Sequence, residues 1–201
     1  MFRIEAVKNF RDVKKGDKGG FVENENNLSH DGDCWIYGKV KVFGHANVYG
    51  NAIVDGYAEV YDHAKIYNNA HVFDTARVVG ISKVRDDVVV CGDAKVYDDA
   101  EVYGNVIISG KAVVSDRAVV SGNAQVFGNA IIYGDAIVYD NAQVYNNARI
   151  YGYAFIYGYA KVYANAVVRD NAEVYGCARV CNDAEVCDDA EVFDNAIVCD
   201  D

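Results

Sequence analysis

From Ile36 to Val198 every sixth residue is Val or Ile, without an insertion or deletion. Two positions earlier runs a second series, from Cys34 to Ala196. It is Ala everywhere except at Cys34, Val40, Ser82, Val88 and Val106. With i denoting the aliphatic position, i−2 and i share parity, so both side chains of an extended segment face the same side. Positions i+2 and i+3 are mostly Gly, Asp or Asn, residues that tolerate the positive φ of sharp corners. A six-residue period does not follow the 3.6-residue turn of an amphipathic helix, which excludes that fold. No hexad can bury its own Val, so the hexads must wind into a coil and stack. The expected fold class is all-β, a single-stranded parallel β-helix.

The hexads of residues 34–201 resemble the hexapeptide repeat of left-handed parallel β-helices, with an aliphatic residue at i and a small one at i−2. That resemblance implies a left-handed wind and three hexads per triangular turn. About nine coils spaced by one strand separation would give a prism roughly 40–45 Å long. Residues 1–33 break the register and resemble the leader before such repeats in bacterial and prophage proteins of the YdcK-like kind, a group often labelled transferases. They are expected to form an N-terminal cap segment over the unpaired edge of the first coil, with "FRIEAV" as a short strand. Val22, Leu28 and Cys34 are already six apart, which places the start of the coil near Gly20.

Residues eighteen apart stack on one face, so the outward positions sort into columns. Position i+1 forms three aromatic columns, which include Tyr133 with Tyr151, Tyr139 with Tyr157, and Phe127 with Tyr145. Stacked rings stabilise a parallel sheet, and Tyr is also favoured at interfaces; both readings stand. In one coil Ser109, Ser115 and Ser121 replace the aromatic residue on all three faces. Beside them Ile107, Val113 and Val119, followed by Ile131 and Ile137, predict a girdle of exposed aliphatic side chains. Such a patch marks a contact surface, and self-association would use this band. At the corners, Asn51, Asn69, Asp87, Asn105, Asn123 and Asn141 form a column read as a structural amide ladder.

Composition narrows the function. Asp and Glu number 30 against 19 Lys and Arg, a net charge of −11, which argues against direct binding to a nucleic-acid backbone or an anionic membrane. No apolar run suits a signal peptide or a membrane span, so a cytoplasmic protein is expected. The six cysteines include no C-x-x-C and no zinc spacing. Cys181 and Cys199 should lie one above the other within disulfide reach, yet free thiols are expected in a reducing compartment. His45 and His63 share a corner column, but no third ligand is evident, and no metal is expected.

The best-known hexapeptide-repeat proteins are acyltransferases that use acetyl- or acyl-coenzyme A with a histidine base, often between subunits of a trimer. By that resemblance His71 and, second, His63 are the candidate catalytic residues, although no motif selects either and no extruded loop interrupts the hexads. Three functions follow. The first is a non-enzymatic binding or scaffold solenoid, phage- or prophage-encoded, that contacts a protein partner through its tyrosine faces and needs no cofactor. The second is an acyltransferase using coenzyme A. The third is an acidic decoy that blocks a nucleic-acid-binding protein. Residues 181–201 contain no Lys or Arg, and Asp188, Asp189, Asp200 and Asp201 contribute to an acidic tip expected either to oppose stacking of an open edge or to dock on a basic partner.

Overall fold

Each hexad supplies a two-residue strand made of positions i−1 and i, such as Lys41–Val42 or Gln125–Val126. The computed structural model describes residues 1–200. Every strand of the repeat pairs in parallel with the one eighteen residues on. Thus Gln125–Val126 lies between Ile107–Ile108 and Gln143–Val144. The result is a parallel β-solenoid with three long sheets, in chain order face I (from Lys18–Val22), face II (from Leu28–Gly32) and face III (from Trp35–Ile36). Faces II and III each hold 10 strands. Face I has 11, because Phe2–Glu5 adds an antiparallel edge beside Lys18–Val22. The ladder therefore reaches back beyond the first hexad, with Phe21↔Lys41 and Leu28↔Val48 already in parallel register. Among the described residues the helical content is the single 3-10 turn Glu25–Asn27, and no helix is long and apolar enough to cross a membrane.

The interior is the i and i−2 series. From Val48 to Ala178 every such side chain is fully buried, with 0% exposure. Small Ala beside β-branched Val suits the narrow bore of a triangular coil. The odd residue in that bore, Ser82, is satisfied because its hydroxyl donates to Val79 O at 2.8 Å.

The corners follow one rule. Every sixth residue from Gly38 to Asp194, position i+2, has φ between 56° and 90°, whereas i+3 does not. At Gly104, the widest of these, an added Cβ would come 2.5 Å from Gly122 O. At about half of the corners Asp or Asn takes the left-handed conformation in place of Gly, and Asp carboxylates also hold the neighbouring turn. Asp116 Oδ2 accepts from Gly134 N at 2.9 Å and Asp74 Oδ2 from Gly92 N at 3.0 Å. Ala164, with φ 61°, is the one residue of this series that is neither Gly, Asp nor Asn. The amide ladder at i+3 of face II runs Asn51→Asn69→Asp87 and resumes as Asn105→Asn123→Asn141, with spacings of 3.0–3.3 Å. A second ladder, Asn129→Asn147→Asn165→Asp183, runs along the corner after face III at 2.9–3.0 Å.

The N-terminal end is built differently. Asn27 is fully buried and makes four hydrogen bonds. Its Nδ2 donates to Gly44 O at 3.0 Å and Ala46 O at 2.8 Å, and its Oδ1 accepts from Glu23 N at 3.0 Å and Asn24 N at 2.9 Å. The segment after Phe2–Glu5 folds over the start of face III. There Phe10 meets Trp35 edge-on at 5.5 Å, and Tyr37 donates its hydroxyl to Asp12 at 2.7 Å. That bond holds Asp12 below the usual carboxylate range. Burial, then the bond to Asp12, pushes the Tyr37 phenol up to about 12.

The expectation of free thiols at Cys181 and Cys199 is corrected. The two form a disulfide, with Cα atoms 4.7 Å apart, because the register places them directly one above the other. Cys34, Cys91, Cys177 and Cys187 are free.

Candidate interaction faces

A parallel register repeats the same side-chain position one strand spacing away, so aromatic residues at i+1 stack. On face I, Tyr133 and Tyr151 have ring centroids 4.8 Å apart and planes within 15°. On face II, Tyr139, Tyr157, Tyr175 and Phe193 form one continuous ladder, with spacings of 4.9, 4.9 and 5.4 Å. Phe127, Tyr145 and Tyr163 do the same on face III at 4.8 and 5.0 Å. Burial raises the phenol pKa of Tyr133 and Tyr139, and the rings pack flat with their hydroxyls protonated. Tyr157 leans toward the next turn, where its hydroxyl donates to Glu173 at 3.0 Å; burial and that bond both push its phenol up.

The aliphatic residues are separated by the corners. Val113 pairs with Ile131 on face I, beside Tyr133 and Tyr151. Val119 pairs with Ile137 on face II, beside Tyr139 and Tyr157. Ile107 stands on face III against Gln125. The expected exposed girdle is thus two half-buried patches and one exposed residue: Ile107 is 40% exposed, while Val113, Val119, Ile131 and Ile137 are intermediate. Ser115 and Ser121 are buried and Ser109 half-buried, so the serines form the floor of these faces. Phe155 extends the face II patch by pairing with Ile137. In the letters this stack shows only when position i−1, like i+1 and i+3, is read in steps of eighteen.

The two histidines stand apart. His71 lies on face III, half-buried, its ring 4.6 Å from that of Phe73, and its Nε2 is buried without a hydrogen-bond partner. Burial lowers its pKa, opposed by the Asp55 carboxylate. His63 occupies the corner after face I and stacks on His45 at 4.7 Å. Gly44, Asp62, Gly80 and Asp98 lie around that pair in a shallow depression. Among the described residues no three His, Cys, Asp or Glu side chains converge as a metal site would require.

Of the acidic tip residues, Asp188 is a left-handed corner residue, and its backbone N–H donates to Asp170 at 3.3 Å. Asp189 accepts from Asn171 at 2.9 Å, and Asp200 pairs in register with Asn182. Asp201 lies outside the described residues.

The family model of the YdcK beta solenoid repeat matches residues 124–140 and 142–158, two successive turns that carry the Tyr133–Tyr151 and Tyr139–Tyr157 rungs. No curated protein matches the chain. The chain is a repeat β-helix protein whose central turns are similar to the YdcK beta solenoid repeat.

Proposed function

We propose that the chain is a non-enzymatic binding or scaffold solenoid, phage- or prophage-encoded, which presents flat tyrosine faces to a protein partner. The observation that carries this reading is the pairing, on two adjacent faces, of an aliphatic column with a Tyr ladder: Val113–Ile131 beside Tyr133–Tyr151, and Val119–Ile137 beside Tyr139–Tyr157. Tyr supplies large, rigid contact area at low entropic cost, and its hydroxyl stays compatible with water when no partner is bound. A flat sheet of such rungs suits an equally flat protein surface, which includes a second copy of this chain. The test compares proteins captured from the native host by wild type and by a Tyr139→Ser/Tyr157→Ser variant, with sedimentation of each alone. A partner, or a self-associated species, present with wild type and lost with the variant supports the reading. Equal capture and equal sedimentation by both refute it.

A second reading, an acyltransferase using acetyl- or acyl-coenzyme A, draws on the unpartnered Nε2 of His71, a buried nitrogen that would have to be uncovered before it could accept a proton from an attacking hydroxyl or amine. Calorimetry with coenzyme A decides between the two. Saturable heat from a trimeric wild type, together with thioester turnover lost in His71→Gln, would favour the transferase.

A further inference from the structure

From Val48 to Ala178 the bore is filled, but at the N-terminal end the filling stops. A cavity of about 270 Å³ opens there between the cap and the first turn. Ile4 and Phe10 reach it from the cap, Val22, Leu28 and Cys34 from the first turn, and Trp35 closes one side. Trp35 is only 5% exposed and is fixed edge-on against Phe10, so this wall is rigid and aromatic. The single S–H of Cys34 lies within reach of two acceptors, Ser29 O at 3.3 Å and Val48 O at 3.6 Å, and burial raises the thiol pKa, which makes it wall rather than a reactive group. The charged residues around the cavity are Glu5, Lys8 and Glu25, with His30 beside them. Glu5 is already paired with Lys18, which leaves one cation and one anion, Lys8 and Glu25, outside any ion pair among the described residues.

We propose that this cavity is a binding site for a short uncharged amphiphile, of the medium-chain alcohol or primary amide class, with its alkyl chain against Ile4, Leu28 and Trp35 and its polar head at the rim. The volume sets the size. An apolar cavity of about 150 Å³ holds one benzene, so this one takes roughly ten non-hydrogen atoms. The walls set the polarity of the buried end, because an ionised group among Ile4, Val22 and Leu28 would lose its hydration without a partner. The rim sets the head: with Glu5 paired to Lys18, Lys8 and Glu25 sum to no net charge, so neither a carboxylate nor an ammonium gains a net long-range attraction, while a hydroxyl or amide can hydrogen-bond to either.

The chain has a single Trp, and it lines this cavity, so Trp35 reports on the site directly. The full chain is titrated with 1-octanol, octanoate and octylamine while Trp35 fluorescence and its one indole N–H resonance are followed. The expected result is a saturable response to 1-octanol, with the two charged probes at least about five-fold weaker. Leu28→Phe, which fills the cavity, should weaken 1-octanol binding by at least about ten-fold while the circular dichroism spectrum stays that of the wild type. If that variant does not fold, the melting temperature of wild type replaces it as the readout, and it should rise with 1-octanol. The proposal is overturned by a Trp35 response that never saturates, by a folded Leu28→Phe that binds as wild type does, by a melting temperature that 1-octanol does not raise, or by tighter binding of a charged probe.

Discussion

In the body of the solenoid, a buried residue such as Val126 sits between near-copies of itself, Ile108 one turn before and Val144 one turn after. At the N-terminal end nothing is repeated: Asn27, the Phe10–Trp35 contact and the Tyr37–Asp12 hydrogen bond each occur once. The body draws its stability from many similar nearest-neighbour terms, so a surface defect there costs one rung among many. The end relies on single contacts with no substitute, and it is also where the bore is left partly unfilled. Redundancy and a usable cavity thus occupy opposite parts of the same fold.

The comparison can be broken first at the body's interior. Val126→Asp puts a charge into a dry bore with no partner and should cost several kcal/mol, on the order of a buried unpaired charge. Gln125→Asp, one residue away and facing outward, should change stability by about 0.5 kcal/mol or less. Equal losses in denaturant melts of the two would contradict the facing of the whole repeat.

Asn27→Ala tests the other region. It removes four hydrogen bonds at a fully buried site and leaves the Ala46 carbonyl without its partner, while Gly44 O keeps the bond from Asn24 Nδ2, a loss of about 2–3 kcal/mol. Asn123→Ala breaks two exposed bonds of an amide ladder, where water can replace them, and should cost no more than about 0.5 kcal/mol. If urea midpoints showed the two losses to be alike, single-copy contacts would not be what distinguishes the end.

A gain is expected at Ala164. Its left-handed φ carries a Cβ penalty that the Asp, Asn and Gly residues at equivalent corners avoid or offset, so Ala164→Gly should stabilise by about 1 kcal/mol. A lower melting temperature in this variant would mean that the corner rule is not set by backbone conformation.

The smallest effect is a pH dependence. Burial holds His71 neutral in the folded state, so the unfolded chain binds its proton first as pH falls. Stability is then greatest above the ordinary histidine pKa of about 6.5 and declines as pH drops from there through the lower folded value. His71→Phe should flatten this part of the melting-temperature profile between neutral pH and the onset of carboxylate titration. An unchanged slope would show that His71 is as well hydrated folded as unfolded.

The body was legible in the sequence because parity and period act on each hexad alone: Val at i and Ala at i−2 face inward wherever the strand runs. The corners were legible in kind but not in detail. Gly, Asp and Asn occur at both i+2 and i+3, and composition does not reveal that only i+2 turns left-handed, nor that Ala164 would accept that conformation. For Cys181 and Cys199 the spacing pointed to the pair, and an argument about cellular compartment outweighed the geometry. The faces were read in part, since columns of eighteen are visible in the letters, whereas the burial of Ser115 and Ser121 depends on how neighbouring side chains lean. The cap was least legible. In "ENENNL" nothing singles out Asn27 from its polar neighbours, and the cavity exists only where Ile4, Leu28 and Trp35, distant in sequence, meet.

The unvarying register has a further consequence, for length. Removing residues 124–141 would join Asn123 to Ala142 with every inward and outward assignment downstream intact, and duplicating them would do the same in the other direction. Such a molecule behaves as a ruler graduated in single turns of about 4.8 Å. The distance between its N-terminal cavity and any rung of its tyrosine faces can be reset in whole steps, and any change that is not a multiple of the step would rotate everything beyond it onto the wrong face.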